Sequence, residues 1–254
     1  MNLLEYWYAL PVGILISTLV SSVGIGGGVL WMPFFLLVLK LSPETAVLTS
    51  LVIQTAGMGS AGFTCAKQQR VDKKMAGFIV LISLPGVLVG SVLASRLQSE
   101  YMQLALGLLV MTTAFLFVSS EQKYADMGKE SVDMKQAYRS SWITVPASIG
   151  SGMLSTSMSE WLIPIMRSKL SLKMSHAIGT SIVIAFGVSA IAAIIHLFLG
   201  ATPEVGAVIW AVPGVLIGGQ IGSRITAKIN ERLLKESFVF FLTLVGIHLV
   251  YNAY

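Results

Sequence analysis

Three consecutive glycines, Gly26-Gly27-Gly28, are preceded by Gly24 and followed by Pro33. They lie inside a run from Tyr6 to Leu39 that holds no charged residue. Glycine costs ~1 kcal/mol in a helix interior and proline ~3, so a helix entering this stretch is expected to break. At membrane depth, backbone that leaves helical geometry must be buried in protein or line a wet cavity. A helix restarting after the glycines would aim free N–H groups and a partial positive charge into that cavity. The chemistry this suggests is recognition of an anion by neutral donors. Close helix–helix packing of small residues is the alternative.

The same arrangement recurs later with different chemistry. Pro33, Leu39, Leu41, Ala46, Thr49 and Ser50 return as Pro164, Leu170, Leu172, Ala177, Thr180 and Ser181, at a constant offset of 131. Opposite Gly26 to Val29 stand Ser157-Met158-Ser159-Glu160. Hydroxyls of Ser157 and Ser159 can donate to an anion without the cost of a buried charge. Glu160 is the one acid in an otherwise apolar unit. It reads either as a proton carrier, since burial brings carboxyl protonation toward physiological pH, or as an acid favoured by a helix N-terminus. The pairs Thr49-Ser50 and Thr180-Ser181 could line a substrate site or cap the helices they begin. Gln54, a turn further along, could bond substrate or a neighbouring helix. Among His176, His196 and His248, a structural hydrogen bond is the default, with His196 the proton-relay candidate. Cys65 reads as a small apolar filler, and one cysteine excludes an internal disulfide and a cysteine-rich metal site.

The chain that carries these residues is 55% hydrophobic and 11% charged, with mean hydropathy +0.80, against ~25% charged in a soluble domain. Residues 45–66, 75–95, 101–120, 140–159, 174–203, 205–223 and 237–254 carry no Asp, Glu, Lys or Arg. Each has the length of a membrane helix. The hydrophobic units are A (8–40), B (45–66), C (75–96), D (101–119), then A′ (141–170), B′ (174–200), C′ (205–227) and D′ (236–253). In C and C′, seven of fourteen aligned positions are identical, 84–97 against 212–225. Gly86, Gly90 and Ala94, like Gly214, Gly218 and Gly222, put small residues on one helix face, which reads as packing. The organisation expected is a first repeat (1–119), a polar cytoplasmic linker (120–140) and a second repeat (141–254). No leader peptide is expected, because the N-terminus lacks a basic region and a cleavage motif.

Lys and Arg collect on the cytoplasmic side of membranes. If every unit crosses once, the seventeen basic residues divide eight to nine. If A and A′ enter and return at their breaks, the division becomes fifteen inside and two outside, Lys40 and Arg96. The same division results if A crosses and only A′ returns, with the N-terminus inside; the repeat favours treating A and A′ alike. The fold expected is an all-α polytopic membrane protein of two inverted-topology repeats. Each would have one broken, re-entrant unit and three spanning helices, with termini outside and the linker inside.

With these residues in view, the sequence resembles the TauE/SafE family of sulfite exporters. The resemblance rests on Gly24-Ile25-Gly26-Gly27-Gly28 with Pro33, Ala46 with Thr49-Ser50, Arg70-Val71-Asp72, and Pro85-Gly86 with Gly90 and Arg96, plus the weaker second copy. It implies transport of small sulfur oxyanions and organosulfonates. Family members often carry a second glycine cluster, where this chain has Ser155-Thr156-Ser157-Met158-Ser159-Glu160. The expected function is a secondary transporter of a small anion across the inner membrane by alternating access. A passive anion channel is the alternative, and an intramembrane hydrolase built on Gly150-Ser151-Gly152 and His196 a remote one. No phosphate-cradling loop of the G-x-x-x-x-G-K-[ST] kind is present, so ATP drive would need a partner. The expected partners are the anion and membrane lipid, with proton coupling and a homodimer left open. No cofactor or nucleic acid is expected, since the net charge of +5 fits basic loops beside anionic lipid.

Overall fold

The structure is a computed structural model. It describes residues 3–119 and 128–225 and the single positions 243, 247 and 251. Apart from those three positions unit D′ lies outside the described residues, and so does His248. What is described is helical, apart from turns and one isolated parallel bridge between Lys129 and Leu172. The helices are α1 (Ala9–Val23), α2 (Gly28–Pro33), α3 (Pro43–Lys67), α4 (Lys73–Ala94), α5 (Ser99–Ser119), α6 (Met134–Ser140), α7 (Thr144–Leu154), α8 (Ser159–Ser168), α9 (Met174–Phe198) and α10 (Val205–Ile225). Among them α3, α4, α9 and α10 are long and apolar enough to cross a membrane. Their outward faces expose Leu81, Leu88, Ile194, Ile209 and Ile217, as a surface bathed in acyl chains requires. The chain is an all-α polytopic membrane protein.

Local chemistry sets the helix limits. Ser42 caps α3, accepting from the Thr45 N–H, with Pro43 at the first helical position and Glu44 in the first turn. Asp72 caps α4 through the Met75 N–H at 3.0 Å. Both expected breaks are present. Helix α1 ends at Val23 with Gly24 left-handed at φ +81°, and α2 begins at Gly28. Helix α7 ends at Leu154 with Ser155 left-handed at φ +57°, and α8 begins at Ser159. Gly24 and Ser155 are equivalent in the duplication. Serine holds there a conformation that glycine adopts without strain. After Pro33 the chain runs through a π turn, Phe34–Val38, and the ring of Phe34 lies 6.3 Å from that of Tyr8. The α1–α2 pair therefore brings the chain back beside its own start.

The small-residue stripes seat these short helices. A Cβ at Gly214, Gly218 or Gly222 of α10 would overlap the carbonyl oxygens of Leu10, Ile14 and Thr18 in α1. Ser17 and Thr18 also donate from α1 to the Val215 and Gly218 carbonyls, at 2.9 and 3.3 Å. In the other half, a Cβ at Gly86 or Gly90 of α4 would overlap the carbonyls of Val145 and Ile149 in α7. The first half-helix of each repeat thus packs on the third unit of the other. Between these pairs α3 lies against α9, joined by a Thr55-to-Ser189 hydroxyl bond of 3.1 Å.

The end of the linker is tied down. Lys129 donates to the Ser171 carbonyl and accepts from the Lys173 N–H, both at 2.8 Å. Lys173 and Glu130 form an ion pair of 2.7 Å, which adds little because it is exposed. The Val132 N–H donates to Asp72 Oδ2 at 2.9 Å.

Candidate functional site

The two breaks meet. A Cβ on Gly26 would overlap that of Ser157, its own counterpart in the duplication, and one on Gly28 would overlap the Ser155 carbonyl. Neither Gly26 nor Gly28 has positive φ. Glycine is needed at both for close approach, not for backbone freedom. Gly27 differs, because its nearest neighbours are Trp31 Cδ1 at 3.1 Å and Gln54 Oε1 at 3.9 Å.

Side chains within the protein take up part of the donor capacity expected at the restarting helices. The Gly28 N–H donates to Gln54 Oε1 at 2.5 Å. The Ser159 N–H donates to Ser157 Oγ at 3.0 Å; Ser157 Oγ donates to Ser159 Oγ at 2.7 Å, and Ser159 Oγ to the Ser181 carbonyl at 3.3 Å. Both helix starts are therefore capped internally. The bond from Gly28 also fixes the Gln54 amide: its oxygen faces the backbone, so its NH2 faces away. Gln54 is buried, at 3% exposure.

The paired hydroxyls do something other than line an open cavity. Thr180 Oγ1 accepts from the Asp72 N–H, and Thr49 Oγ1 from the Glu204 N–H, each at 2.9 Å. Each threonine so holds the residue just ahead of the other repeat's third-unit helix, α4 or α10. The serines beside them reach the breaks. Ser181 Oγ donates to the Gly24 carbonyl at 3.0 Å, and Ser155 Oγ donates to Ser50 Oγ at 2.9 Å. Since 24 pairs with 155 and 50 with 181 in the duplication, the same two positions meet twice, through a hydroxyl-to-carbonyl bond in one case and a hydroxyl-to-hydroxyl bond in the other. All four hydroxyl residues are fully buried.

His196 Nε2 lies 2.8 Å from the Gly152 carbonyl. A carbonyl only accepts, so that nitrogen carries the proton, and the bond secures the last turn of α7. The side chain of Glu160 lies outside the described residues; its backbone is in the first turn of α8. The described residues hold no cluster of three or more metal-ligating side chains.

Matched against known families, residues 9–249 fit the family described as sulfite exporter TauE/SafE. The chain belongs to that family. It is a family of membrane transporters, not of enzymes. The chain is also similar to the probable membrane transporter protein YunE of Bacillus subtilis (strain 168), with 22% identity covering 94% of this chain and 95% of the relative. No solved structure matches.

Sequence reasoning about this TauE/SafE protein gave Asp72 no part beyond the family motif and missed Glu204 and Trp31. Asp72 and Glu204 are the far ends of the threonine contacts; an acid just ahead of an apolar helix was the available signal. Trp31 was missed because an aromatic residue in an apolar run looks like core.

Proposed function

We propose that this TauE/SafE protein is a secondary transporter of a small sulfur oxyanion or organosulfonate, the class of sulfite, thiosulfate and sulfoacetate. The observation that supports it is the meeting of the two breaks, Gly26 against Ser157, in a buried zone supplied with neutral donors. Neutral donors suit a solute that must be released as well as held, and they spare the membrane a buried cation. Gly26, Gly27, Gly28 and Gln54 from one half and Ser157 and Ser159 from the other form the candidate site. Thr49, Ser50, Thr180 and Ser181 support it by joining the halves. Transport proceeds by one repeat moving against the other, with the glycine stripes as the bearing surfaces.

The repeats are read as inverted, with A and A′ re-entrant, the termini outside and the linker inside an inner membrane. The reciprocal contacts and the return of Phe34 to Tyr8 support a re-entrant A, and the division of basic residues, fifteen to two, supports a re-entrant A′ with the linker inside. Exposed Trp7 and Tyr101 toward one end and Tyr138 and Trp142 toward the other fit interfacial belts. A membrane-impermeant thiol label should reach Glu130→Cys only from the cytoplasmic side; reaction from outside rejects the topology.

The functional test is uptake of labelled sulfite, thiosulfate and sulfoacetate into vesicles reconstituted with the full chain, with and without a proton gradient. Saturable uptake of at least one supports the reading. Single-channel currents would replace it with a passive channel. Glu160→Gln should abolish the pH dependence of uptake if Glu160 carries the coupled proton; the same substitution at His196 should leave it unchanged if His196 only holds α7.

A further inference from the structure

The duplication provides a scaffold whose two halves should be alike at the centre, so a polar residue present on one side only marks where a single solute sits. Two such residues lie together. Position 31 is tryptophan, and its counterpart at the offset of 131 is Leu162. Position 54 is glutamine, and its counterpart is Ala185. All four are buried, so the difference is one of chemistry, not of exposure.

Trp31 is 1% exposed and stacked on Phe35, with ring centroids 5.2 Å apart. Side chains on a helix lean toward its N-terminus, which carries the indole back over Gly27. A Cβ on Gly27 would lie 3.1 Å from Trp31 Cδ1 and 3.5 Å from Nε1. The pyrrole edge therefore faces the backbone between the two breaks. Its N–H finds no acceptor among the described residues. It is also not among the sealed, unpartnered polar atoms there, which are Ser21 Oγ, Thr144 Oγ1 and Glu204 Oε1, so it opens on space that a water can enter. The same holds for the Gln54 NH2, turned outward by the bond its oxygen accepts from Gly28. Buried polar groups are nearly always paired, so an unpaired indole N–H beside Gly27, with an unpaired Gln54 NH2 on the same side chain that caps Gly28, points to an acceptor that binds here.

We propose that the Trp31 indole N–H, which lies against Gly27, and the side-chain NH2 of Gln54 are the donors that bind the transported oxyanion. This rests on the anion-transport reading above and names its specificity-determining pair. Both groups only donate at these atoms. The site therefore favours a ligand whose oxygens are all acceptors and disfavours one that presents its own O–H or N–H. Gly27 is glycine because a methyl group there would occupy the ligand's place.

The test is calorimetric titration of the purified full chain with sulfite, thiosulfate and sulfoacetate, for wild type, Trp31→Phe and Gly27→Ala. Ultraviolet resonance Raman of the indole N–H marker band provides a readout that packing alone would not move. Loss of one hydrogen bond to a charged ligand should weaken binding about ten- to hundredfold in Trp31→Phe. The anion-induced band shift seen in wild type should vanish with it. Binding within about threefold of wild type in Trp31→Phe, or no band shift in wild type, overturns the inference and leaves anion transport standing. If wild type binds none of the three anions, the transport reading falls and takes the inference with it. Should Trp31→Phe not fold, Gly27→Ala decides. Weakened binding with an unchanged melting temperature supports the inference, and unchanged binding overturns it.

Discussion

The three glycines of the first break look alike in sequence, yet the structure gives each a different cost of substitution by alanine. At Gly28 the new Cβ would overlap the Ser155 carbonyl, which is backbone and cannot rotate aside. At Gly26 it would overlap the Ser157 Cβ. Overpacking of this kind costs about 1–3 kcal/mol, and more where backbone must move. Gly27 has helical dihedrals, φ −67° and ψ −22°, which alanine adopts readily. Its new Cβ would meet nothing closer than Trp31 Cδ1 at 3.1 Å. There, the entropy that alanine removes from the unfolded chain, about 0.4–1 kcal/mol, offsets the tight contact. The order of stability should be Gly27→Ala near wild type, Gly26→Ala lower and Gly28→Ala lowest. At roughly 2–4 °C per kcal/mol for a chain of this size, thermal unfolding followed by tryptophan fluorescence in detergent resolves the series. A partner substitution sharpens it: Ser157→Gly should recover most of the loss in Gly26→Ala and none of that in Gly28→Ala, the non-additivity expected of residues in contact. Equal destabilisation by all three single substitutions, or no rescue by Ser157→Gly, would refute the reasoning.

In the packing stripes, Gly218→Ala should cost about 1–3 kcal/mol by driving a methyl group into the Ile14 carbonyl. Gly77→Ala, in the open first turns of α4 with nothing within 4 Å, should stabilise by about 0.5–1 kcal/mol; the two melting shifts should have opposite signs. Thr180→Val and Thr49→Val should each leave one helix-start N–H unpaired, those of Asp72 and Glu204, and cost a similar ~1–3 kcal/mol. A large loss from one and none from the other would break the equivalence of the two contacts. Asp72→Ala removes the acceptor that holds the Val132 N–H, so limited proteolysis should cut residues 128–133 faster than in wild type while α3 and α4 stay protected. Unchanged cleavage would show that the Lys129 bridge holds the linker alone.

The amino-acid sequence by itself determined the membrane class, the four long apolar helices α3, α4, α9 and α10, the duplication and the two breaks. All of these follow from properties read along the chain: hydropathy over a bilayer's width, the poor helix propensity of glycine, and a repeat at fixed offset. The interruptions at 24–27 and 155–158 are therefore legible in the glycines of the first copy and the repeat that aligns the second with it. What only the tertiary structure decided are contacts between residues more than a hundred positions apart. Thr49 and Ser50 are indistinguishable in type from ligand-lining hydroxyls until Glu204 and Ser155 are seen against them. The Gln54 amide has no orientation until the Gly28 N–H fixes its oxygen. The glycines, too, separate only in space: Gly24 is set by its dihedral, Gly26 and Gly28 by the other half of the molecule, and Gly27 by the room it leaves beside Trp31. Local propensity carries no information about which surface arrives from the second repeat, and that arrival assigns each of these residues its part.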